Sequence, residues 1–280
     1  MSEIRNVRGH NDERIENMNN NSKLMAPLWL KYPHIRRGSI GWRMGYGEAY
    51  AMEYYLWQKG LDKEFWEEYK LLFPEPINWL GWYDNKYLEH EYTYNIDWLK
   101  AMNQNNEYIF FWGHQPSNDG VMTKSCFSQW WKSDFKVGHI NYSCMEQYMM
   151  AEKARLFKDI EIEEKILASS SSKEMKELGR KVNNFNEEIW NMNKYNIVVE
   201  GNYYKFVQQS SLKKYLLNTD NKVIVEASPY DKVWGIGLRE GEKGIFDPIN
   251  WKGENLLGFA LMEVRDIIKR TSANEKLVAI

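Results

Sequence analysis

Residues 226–237 read EASPYDKVWGIG and directly follow the apolar run Val223–Val225. Consecutive β-branched residues bounded by turn-forming residues predict a short buried strand, and Pro229 ends its hydrogen-bonding ladder. The strand delivers Glu226 at its end and Asp231 just beyond it. Because loops at strand ends often carry functional groups, this stretch predicts a site as well as a strand.

The same loop carries groups that suit ligand binding. Ser228 follows the strand, Trp234 offers a flat aromatic face, and Gly235 and Gly237 let backbone approach a ligand closely. The alternative is a purely structural Pro-Tyr-Asp turn with a buried tryptophan. Several acids without metal-ligand spacing favour acid–base catalysis, or stabilisation of an oxocarbenium ion, over metal catalysis.

A second acidic candidate lies on a helix predicted to begin near Ser143. Glu146, Met150, Lys153 and Phe157 share one face of this helix. Glu146 and Lys153 stand about 10 Å apart along its axis, too far for a direct pair, so each can meet a different part of a ligand. The alternative is a capping box, in which Glu146 reaches back to the backbone at Ser143. Both interpretations stay open at this point.

Composition limits the classes of protein that the chain can represent. With 280 residues, 43% hydrophobic and 15% aromatic, it is a globular protein. A net charge of −2 excludes an overall basic nucleic-acid surface, although a local patch remains possible. Cys126 and Cys144 form no disulfide framework, which favours a reducing compartment and predicts a cytoplasmic protein. No membrane-spanning run, metal site or cofactor fingerprint is present in the sequence, so no membrane, metal or cofactor is predicted.

Four parts follow one another along the chain. Residues 1–22 are polar and Asn-rich and predict a loose tail. Residues 23–105 predict a helical, aromatic-rich segment whose tryptophans pack in a core. Residues 106–272 predict the module that carries the chemistry, and residues 273–280 a C-terminal tail.

Within the aromatic-rich segment, helices are predicted over residues 48–72 and 88–102. Arg36, Arg37 and Arg43 lie beside aromatic residues, a composition that suits phosphate and stacking contacts, although a solvated surface is the favoured interpretation.

The second module predicts an α+β fold, predominantly helical with a small sheet. Strands are predicted in EYIFFWGH and KVIVEAS, and helices in SCMEQYMMAEKARLFKD, after the serine cluster at 169–172, and in NLLGFALMEVRDIIKR. The stretch KYNIVVEGNYYKFVQQSSLKKYLLNT predicts a turn followed by a helix.

Six pieces occur in a distinctive order: FFWG, YSCMEQYMMAEKARLF, LGRKV, IVVEGNYYKF, VEASPYDKVWGIG and WKGENLLGFALMEVR. From Tyr108 to Ile268 the chain resembles the NADAR superfamily and its YbiA-like members. The resemblance implies a YbiA-like fold and cleavage of N-glycosidic bonds on ribose phosphates without a cofactor. Some members hydrolyse an early riboflavin-pathway intermediate. Others remove ADP-ribose from guanine in nucleic acid and act as antitoxins to a DNA-modifying ADP-ribosyltransferase.

The resemblance also implies roles for individual residues. The family's motif positions fall on Glu146, Lys153, Asp231, Trp234 and the pair Lys205–Phe206. Asp231 is assigned to the oxocarbenium ion and water, and Glu146 to proton delivery or a ribose hydroxyl, although these two roles can be exchanged. Phosphate binding is assigned to Lys153, Lys205 and Arg180, and base stacking to Trp234. The remaining candidates for substrate binding are Phe111, Gly113, Tyr148, Glu226, Ser228 and Gly235.

Two departures from the family pattern put the ribose contacts in question. Gln147 stands where many members have histidine, and Ser128–Gln129 stands where many have Ser-Asn.

The leading expectation is a metal-independent ADP-ribosyl glycohydrolase that acts on guanine in DNA, with a DNA ADP-ribosyltransferase toxin as its cognate partner. Three alternatives stay open: an N-glycosidase of riboflavin-pathway intermediates, a non-catalytic module that binds ADP-ribose, and an interaction protein that docks through residues 23–105.

Overall fold

The computed structural model describes residues 24–102, 106–117 and 121–280, so the predicted tail at 1–22 lies outside the described residues. The chain forms two compact units. The first contains the described residues up to Tyr87 together with Arg270–Ile280, and the second is Leu88–Lys269. This division differs from the boundary expected after residue 105 and from a separate tail at 273–280.

Short helices and turns build the first unit. Helices α1, α2 and α3 span Leu28–Lys31, Tyr46–Lys59 and Lys63–Leu72, and 3-10 turns lie at Ile40–Trp42, Ile77–Trp79 and Glu275–Leu277. Asp62 caps α3 by accepting a hydrogen bond from Phe65 N at 2.8 Å.

Aromatic side chains form the core of this unit. Trp29, Tyr54, Tyr69, Phe73 and Trp79 are buried in one cluster. The ring centroids of Trp29 and Trp79 are 5.4 Å apart in a tilted arrangement, which is favourable for aromatic pairs. The predicted role of the tryptophans in core packing is therefore confirmed.

Arg37 contributes to this unit through contacts within the chain. Its guanidinium donates to the carbonyl oxygens of Leu80 and Lys86 and lies 3.9 Å from the ring centroid of Tyr87. These contacts occupy the guanidinium, so Arg37 has a structural role within the first unit.

Among its described residues the second unit contains four strands and seven helices, the last of which ends two residues beyond Lys269. Helices α4 to α10 span Ile96–Ala101, Met145–Leu156, Ile160–Ala168, Ser172–Gly179, Glu187–Val207, Ser210–Leu217 and Leu256–Thr271. Strands β1 to β4 span Tyr108–Phe111, Phe135–Val137, Ile140–Tyr142 and Val223–Glu226, and 3-10 turns lie at Lys124–Phe127 and Pro248–Asn250. In the described part of the chain, no helix combines the length and apolar character needed to cross a membrane.

The second unit contains two small sheets, and the sheet formed by β1 and β4 places the site. Strands β1 and β4 are parallel, with Phe111 opposite Glu226, so their carboxyl ends lie side by side. Strands β2 and β3 form an antiparallel hairpin that the sequence analysis did not anticipate. The fold is α+β and predominantly helical, as expected, and the two strands predicted from EYIFFWGH and KVIVEAS are confirmed.

Two local predictions were wrong. Residues 88–95 are not helical, and only α4 forms in the predicted helix over 88–102. The turn expected after Lys194 does not form because α8 continues through it to Val207. Gly201 lies inside α8, and a Cβ there would stand 2.4 Å from the Tyr148 ring. This glycine permits close packing between helices α5 and α8 and does not interrupt the helix.

Candidate active site

One cavity of about 800 Å³ in the second unit brings together most of the predicted site residues. Its walls come from the ends of β1 and β4, the segment after the Lys124–Phe127 turn, and helices α5, α7 and α8. The predicted residues that line it are Gly113, Glu146, Lys153, Arg180, Glu226, Ser228, Asp231 and Trp234. Acids that are far apart in sequence therefore share one cavity.

Glu226 is the last residue of β4, and Asn255 sets its position. The Asn255 side chain accepts from Glu226 N and donates to Ile224 O, both at 3.0 Å, so it takes the place of a further strand at this edge. Oε2 of Glu226 is buried without a hydrogen-bond partner. Burial, reinforced by the Asp231 carboxylate, raises the pKa of Glu226 to about 8. Glu226 is therefore largely protonated at neutral pH.

Glu146, the second residue of α5, is 3% exposed. Its backbone N donates to Gln129 O at 2.9 Å, which joins the start of α5 to the segment that carries Trp130. Burial raises the pKa of Glu146 to about 7, although the Lys176 ammonium and a hydrogen bond from the Trp130 side chain both lower it. The site thus holds two carboxyl groups that retain protons near neutral pH.

The capping alternative for Glu146 is wrong. The N-cap of α5 is Cys144, whose side chain makes no capping bond. Gln147 reaches back instead: its Oε1 accepts from Ser143 N at 2.8 Å and from Ser143 Oγ at 3.1 Å. Its Nε2 donates to three backbone carbonyls between residues 166 and 169. The residue that replaces the family's histidine therefore has a structural role, and Glu146 is left to face the cavity.

Asp231 both shapes the turn after β4 and lines the cavity. Its Oδ1 accepts hydrogen bonds from Val233 N at 2.9 Å and Trp234 N at 2.8 Å, which shapes the turn. Its negative charge is also one of the causes that raise the pKa of Glu146 and of Glu226. The three carboxyl groups therefore interact electrostatically within the cavity.

Lys153 lies farther along α5, beside two aromatic rings. Its Nζ donates to Gly179 O at 2.8 Å and stands 4.2 Å from the ring centroid of Phe185 and 5.4 Å from that of Trp190. Burial, together with the charge of Arg180, lowers the pKa of Lys153. This region can receive an anionic and aromatic part of a ligand.

Lys176 was not singled out as a site residue by the sequence analysis. It lines the cavity on α7, and its charge lowers the pKa of both Glu146 and Glu226. The available signal was the basic stripe of Lys173, Lys176 and Arg180, for which a solvated helix face was the favoured interpretation. Trp130 and Asn255 were missed as well, because nothing in the sequence next to them indicates which residues they contact, whereas Gln129 was noted only as a departure from the family pattern.

The assignment of Lys205 to phosphate binding is corrected. Lys205 is fully buried, and its Nζ donates to Cys126 O at 2.6 Å and to Ser128 O at 3.3 Å. Burial lowers its pKa to about 8. It lies beneath the cavity wall and holds the segment that leads to Gln129, so no part of it is available to a ligand.

Three further candidates also lie outside the cavity lining. Phe111 packs against Phe127 at a centroid distance of 5.6 Å, and its strand neighbour Trp112 lines the cavity instead because side chains alternate along a strand. Tyr148 packs against Tyr142 at 5.1 Å, since two residues after Glu146 the helix faces away. Gly235 is buried in the loop itself. These substrate-binding assignments are corrected accordingly.

Gly235 supports the site by allowing the loop to fold back on the strand. A Cβ at Gly235 would stand 2.8 Å from Glu226 O and 3.1 Å from Asp231 O. We expect Gly235→Ala to lower the free energy of unfolding by about 1–3 kcal/mol, because the backbone must move to relieve the clash. Urea unfolding would measure this, with Gly60→Ala as the control, since a Cβ there meets nothing closer than 3.3 Å. Equal losses in the two variants would contradict the prediction.

Among the described residues, no group of three or more His, Cys, Asp or Glu side chains could hold a metal ion. The absence of a required metal stays a prediction.

Comparison with known proteins gives the class to which this fold and site belong. Residues 110–269 match the NADAR domain, and the chain therefore belongs to the NADAR family. It is 45% identical to N-glycosidase R617 of Acanthamoeba polyphaga mimivirus over 58% of this chain and 97% of that protein. It is 30% identical to N-glycosidase Npun_R5314 of Nostoc punctiforme over 51% of this chain and 85% of that protein. The solved structure of Escherichia coli YbiA matches with a TM-score of 0.48 and 26% identity, over 63% of this chain and 91% of that one.

Proposed function

We propose that this chain is an N-glycosidase that removes ADP-ribose from guanine bases in DNA. The observation that carries the proposal is the group of three carboxyls in one cavity, two of which, Glu146 and Glu226, have pKa values raised to about 7 and about 8. The relatives named N-glycosidases support the type of bond.

The chemistry of an N-glycoside suits this arrangement. Breaking the bond between the ribosyl anomeric carbon and a base nitrogen develops positive charge on the carbon and negative charge on the departing base. The Asp231 carboxylate stabilises the cation and orients the attacking water. The carboxyl groups of Glu146 and Glu226 act as an acid pair that supplies a proton to the leaving nitrogen, as a carboxylic acid with a raised pKa can do near neutral pH. Water adds to the anomeric carbon, and its second proton restores the acid pair.

The size and charge of the cavity favour a substrate larger than a ribosyl monophosphate. A volume of about 800 Å³ lies in the upper part of the range usual for ligand pockets. The cations that line it are distributed over several elements: Lys153, Lys176, Arg180, Lys194 and Lys232. Lys153 stands about 10 Å from Glu146 along α5, so a phosphate bound near Lys153 belongs to a ligand that extends well beyond the reacting ribose. A diphosphate that links two nucleoside-like ends meets this requirement.

A direct comparison of substrates tests the proposal. Guanine-ADP-ribosylated DNA, the same DNA without the modification, and the riboflavin-pathway ribosyl phosphate are incubated separately with the protein, and products are identified by mass. We expect free ADP-ribose and restored guanine from the first substrate only. Release of base from the ribosyl phosphate alone would replace the proposed substrate with the metabolite. Binding of ADP-ribose without cleavage of any substrate would indicate a non-catalytic module.

The proposal also has a consequence in cells. A DNA ADP-ribosyltransferase supplies this substrate, so co-expression of the chain should restore growth to cells that carry such a toxin. An Asp231→Asn variant serves as the control and should not restore growth.

A further inference from the structure

Two exposed aromatic side chains stand at the mouth of the cavity. Trp112 follows β1 directly and is 50% exposed, and Tyr230 follows β4 by four residues and is 80% exposed. Their ring centroids are 6.1 Å apart at an interplanar angle of 53°, and both rings line the cavity. We refer to Trp112 and Tyr230 as the aromatic rim. Large apolar surface left this open beside a polar cavity is typical of a binding surface.

The topology places this rim beside the acids. Phe111 is opposite Glu226 in the parallel pair, and Ala227 N donates to Phe111 O at 2.8 Å, so Trp112 continues alongside the residues that follow Glu226. Tyr230 immediately precedes Asp231 in sequence. A ligand group that lies against the rim is therefore next to the bond-breaking groups, whereas Phe185 and Trp190 surround Lys153 farther along α5.

Two cationic side chains, Arg239 and Lys232, lie close to the aromatic rim. The guanidinium carbon of Arg239 stands 5.9 Å from the ring centroid of Trp112, and Lys232 lines the cavity two residues after Tyr230. An aromatic face with a cation beside it suits a nucleobase and its phosphate, because bases stack on aromatic rings while the cation attracts the backbone.

We propose that the aromatic rim stacks the nucleobase adjacent to the modified base, and that the substrate is therefore a single strand of nucleic acid. This inference rests on the proposed function and specifies its substrate further. In a duplex the neighbouring base is stacked on both sides within the helix, so an exposed tyrosine and tryptophan can engage it only after it is unstacked. Arg239 contacts the phosphate that joins the two nucleotides.

Cleavage kinetics test the proposal with two substrates that carry the same modification. One is ADP-ribosylated guanosine, and the other is a short single-stranded oligonucleotide with the modified guanine inside it. We expect wild type to favour the oligonucleotide in kcat/KM. Trp112→Ala and Tyr230→Ala should each reduce the ratio of the two kcat/KM values by about 10-fold, the factor that stacking of one base contributes.

Phe246→Ala provides a matched control. Phe246 is 69% exposed, its ring contacts Tyr108 and Phe110, and it is not among the cavity-lining residues. The ratio should stay at the wild-type value in this variant. An unchanged ratio in both rim variants would overturn the proposal. Equal losses on both substrates would also overturn it, because the rim would then bind the ADP-ribosyl group itself.

A binding measurement separates this proposal from the proposed function. Fluorescence anisotropy of a labelled, unmodified single-stranded oligonucleotide should show binding that weakens about 10-fold in the rim variants and is weaker for the matching duplex. Such binding without cleavage of either modified substrate would contradict the proposed function and leave the rim assignment intact. Cleavage of the nucleoside and the oligonucleotide with equal kcat/KM, together with equal binding of the single strand and the duplex, would contradict the rim assignment alone.

Discussion

Replacing Glu226 with Gln is expected to lower turnover by about 100-fold or more and, at alkaline pH, to make the protein more stable. The loss of turnover follows because Gln cannot release a proton to the departing nitrogen. The gain in stability follows because burial and the Asp231 carboxylate raise the pKa of Glu226 from 4.5 to about 8. The folded protein therefore holds this carboxyl at a free-energy cost once it ionises.

The sign of the pH dependence follows from proton binding. Between pH 4.5 and about 8 the folded state binds more protons at Glu226 than the unfolded state does, so its contribution to the free energy of unfolding falls as pH rises. Each unit of pKa difference corresponds to about 1.4 kcal/mol, and relaxation of the site reduces the full amount. We expect the free energy of unfolding of Glu226→Gln to be about 2 kcal/mol higher than that of wild type near pH 9. The difference should be smaller near pH 5.

Urea unfolding at the two pH values and single-turnover kinetics would measure both effects. Glu164→Gln is a suitable control, because Glu164 lies on the exposed side of α6 and should change neither quantity. Glu146→Gln should behave like Glu226→Gln with a smaller gain in stability, because the pKa of Glu146 is raised to about 7. Wild-type turnover in both Gln variants would exclude these two carboxyls as the source of the proton.

Asp231→Asn is expected to reduce turnover by about 100-fold or more while the fold is retained. An Asn Oδ1 can still accept the hydrogen bonds that Asp231 receives from Val233 N and Trp234 N, so the turn survives the loss of charge. Removing the negative charge also favours ionisation of the neighbouring carboxyls, since Asp231 raises the pKa of Glu226 and of Glu146. The alkaline limb of the pH–activity profile should therefore move to lower pH.

The residual activity of Asp231→Asn, measured as kcat/KM against pH, tests this prediction. Asp231→Ala provides the comparison, because it removes the two hydrogen bonds along with the charge and should lower the free energy of unfolding as well. A profile of wild-type shape in Asp231→Asn would show that Asp231 does not interact with the acid pair. An alkaline limb that moves to higher pH would contradict the sign of the interaction.

Local sequence was sufficient for much of the fold that carries the site. Strands β1 and β4 and helices α5 and α10 were predicted because apolar periodicity and turn residues mark them directly. Residues that share a loop, such as Glu226, Ser228 and Asp231, could be placed together for the same reason. The aromatic core of the first unit also followed from composition and helical spacing.

Other features depended on contacts that no local pattern records. The stretch that begins at Lys194 was predicted to open with a turn, yet it is helical, and its Gly201 permits Tyr148 to pack against α8. Lys205 appeared to be a free cation, yet it is buried against two backbone carbonyls. The choice between capping and chemistry for Glu146 was decided by Gln147, which takes the capping position through its contact with Ser143.

The sequence alone determined that Glu226 ends a strand, that Asp231 lies in the loop after it and that Glu146 lies near the start of a helix. Strand and helix periodicity and the proline and glycine signals act over a few residues, so they can be recognised locally. Only the tertiary structure decided that Glu146, Lys176 and Glu226 share a cavity. It also decided that the two glutamates retain protons near neutral pH. A pKa depends on burial and on neighbouring charges, and here those neighbours come from α5, α7 and the end of β4, which only folding brings together.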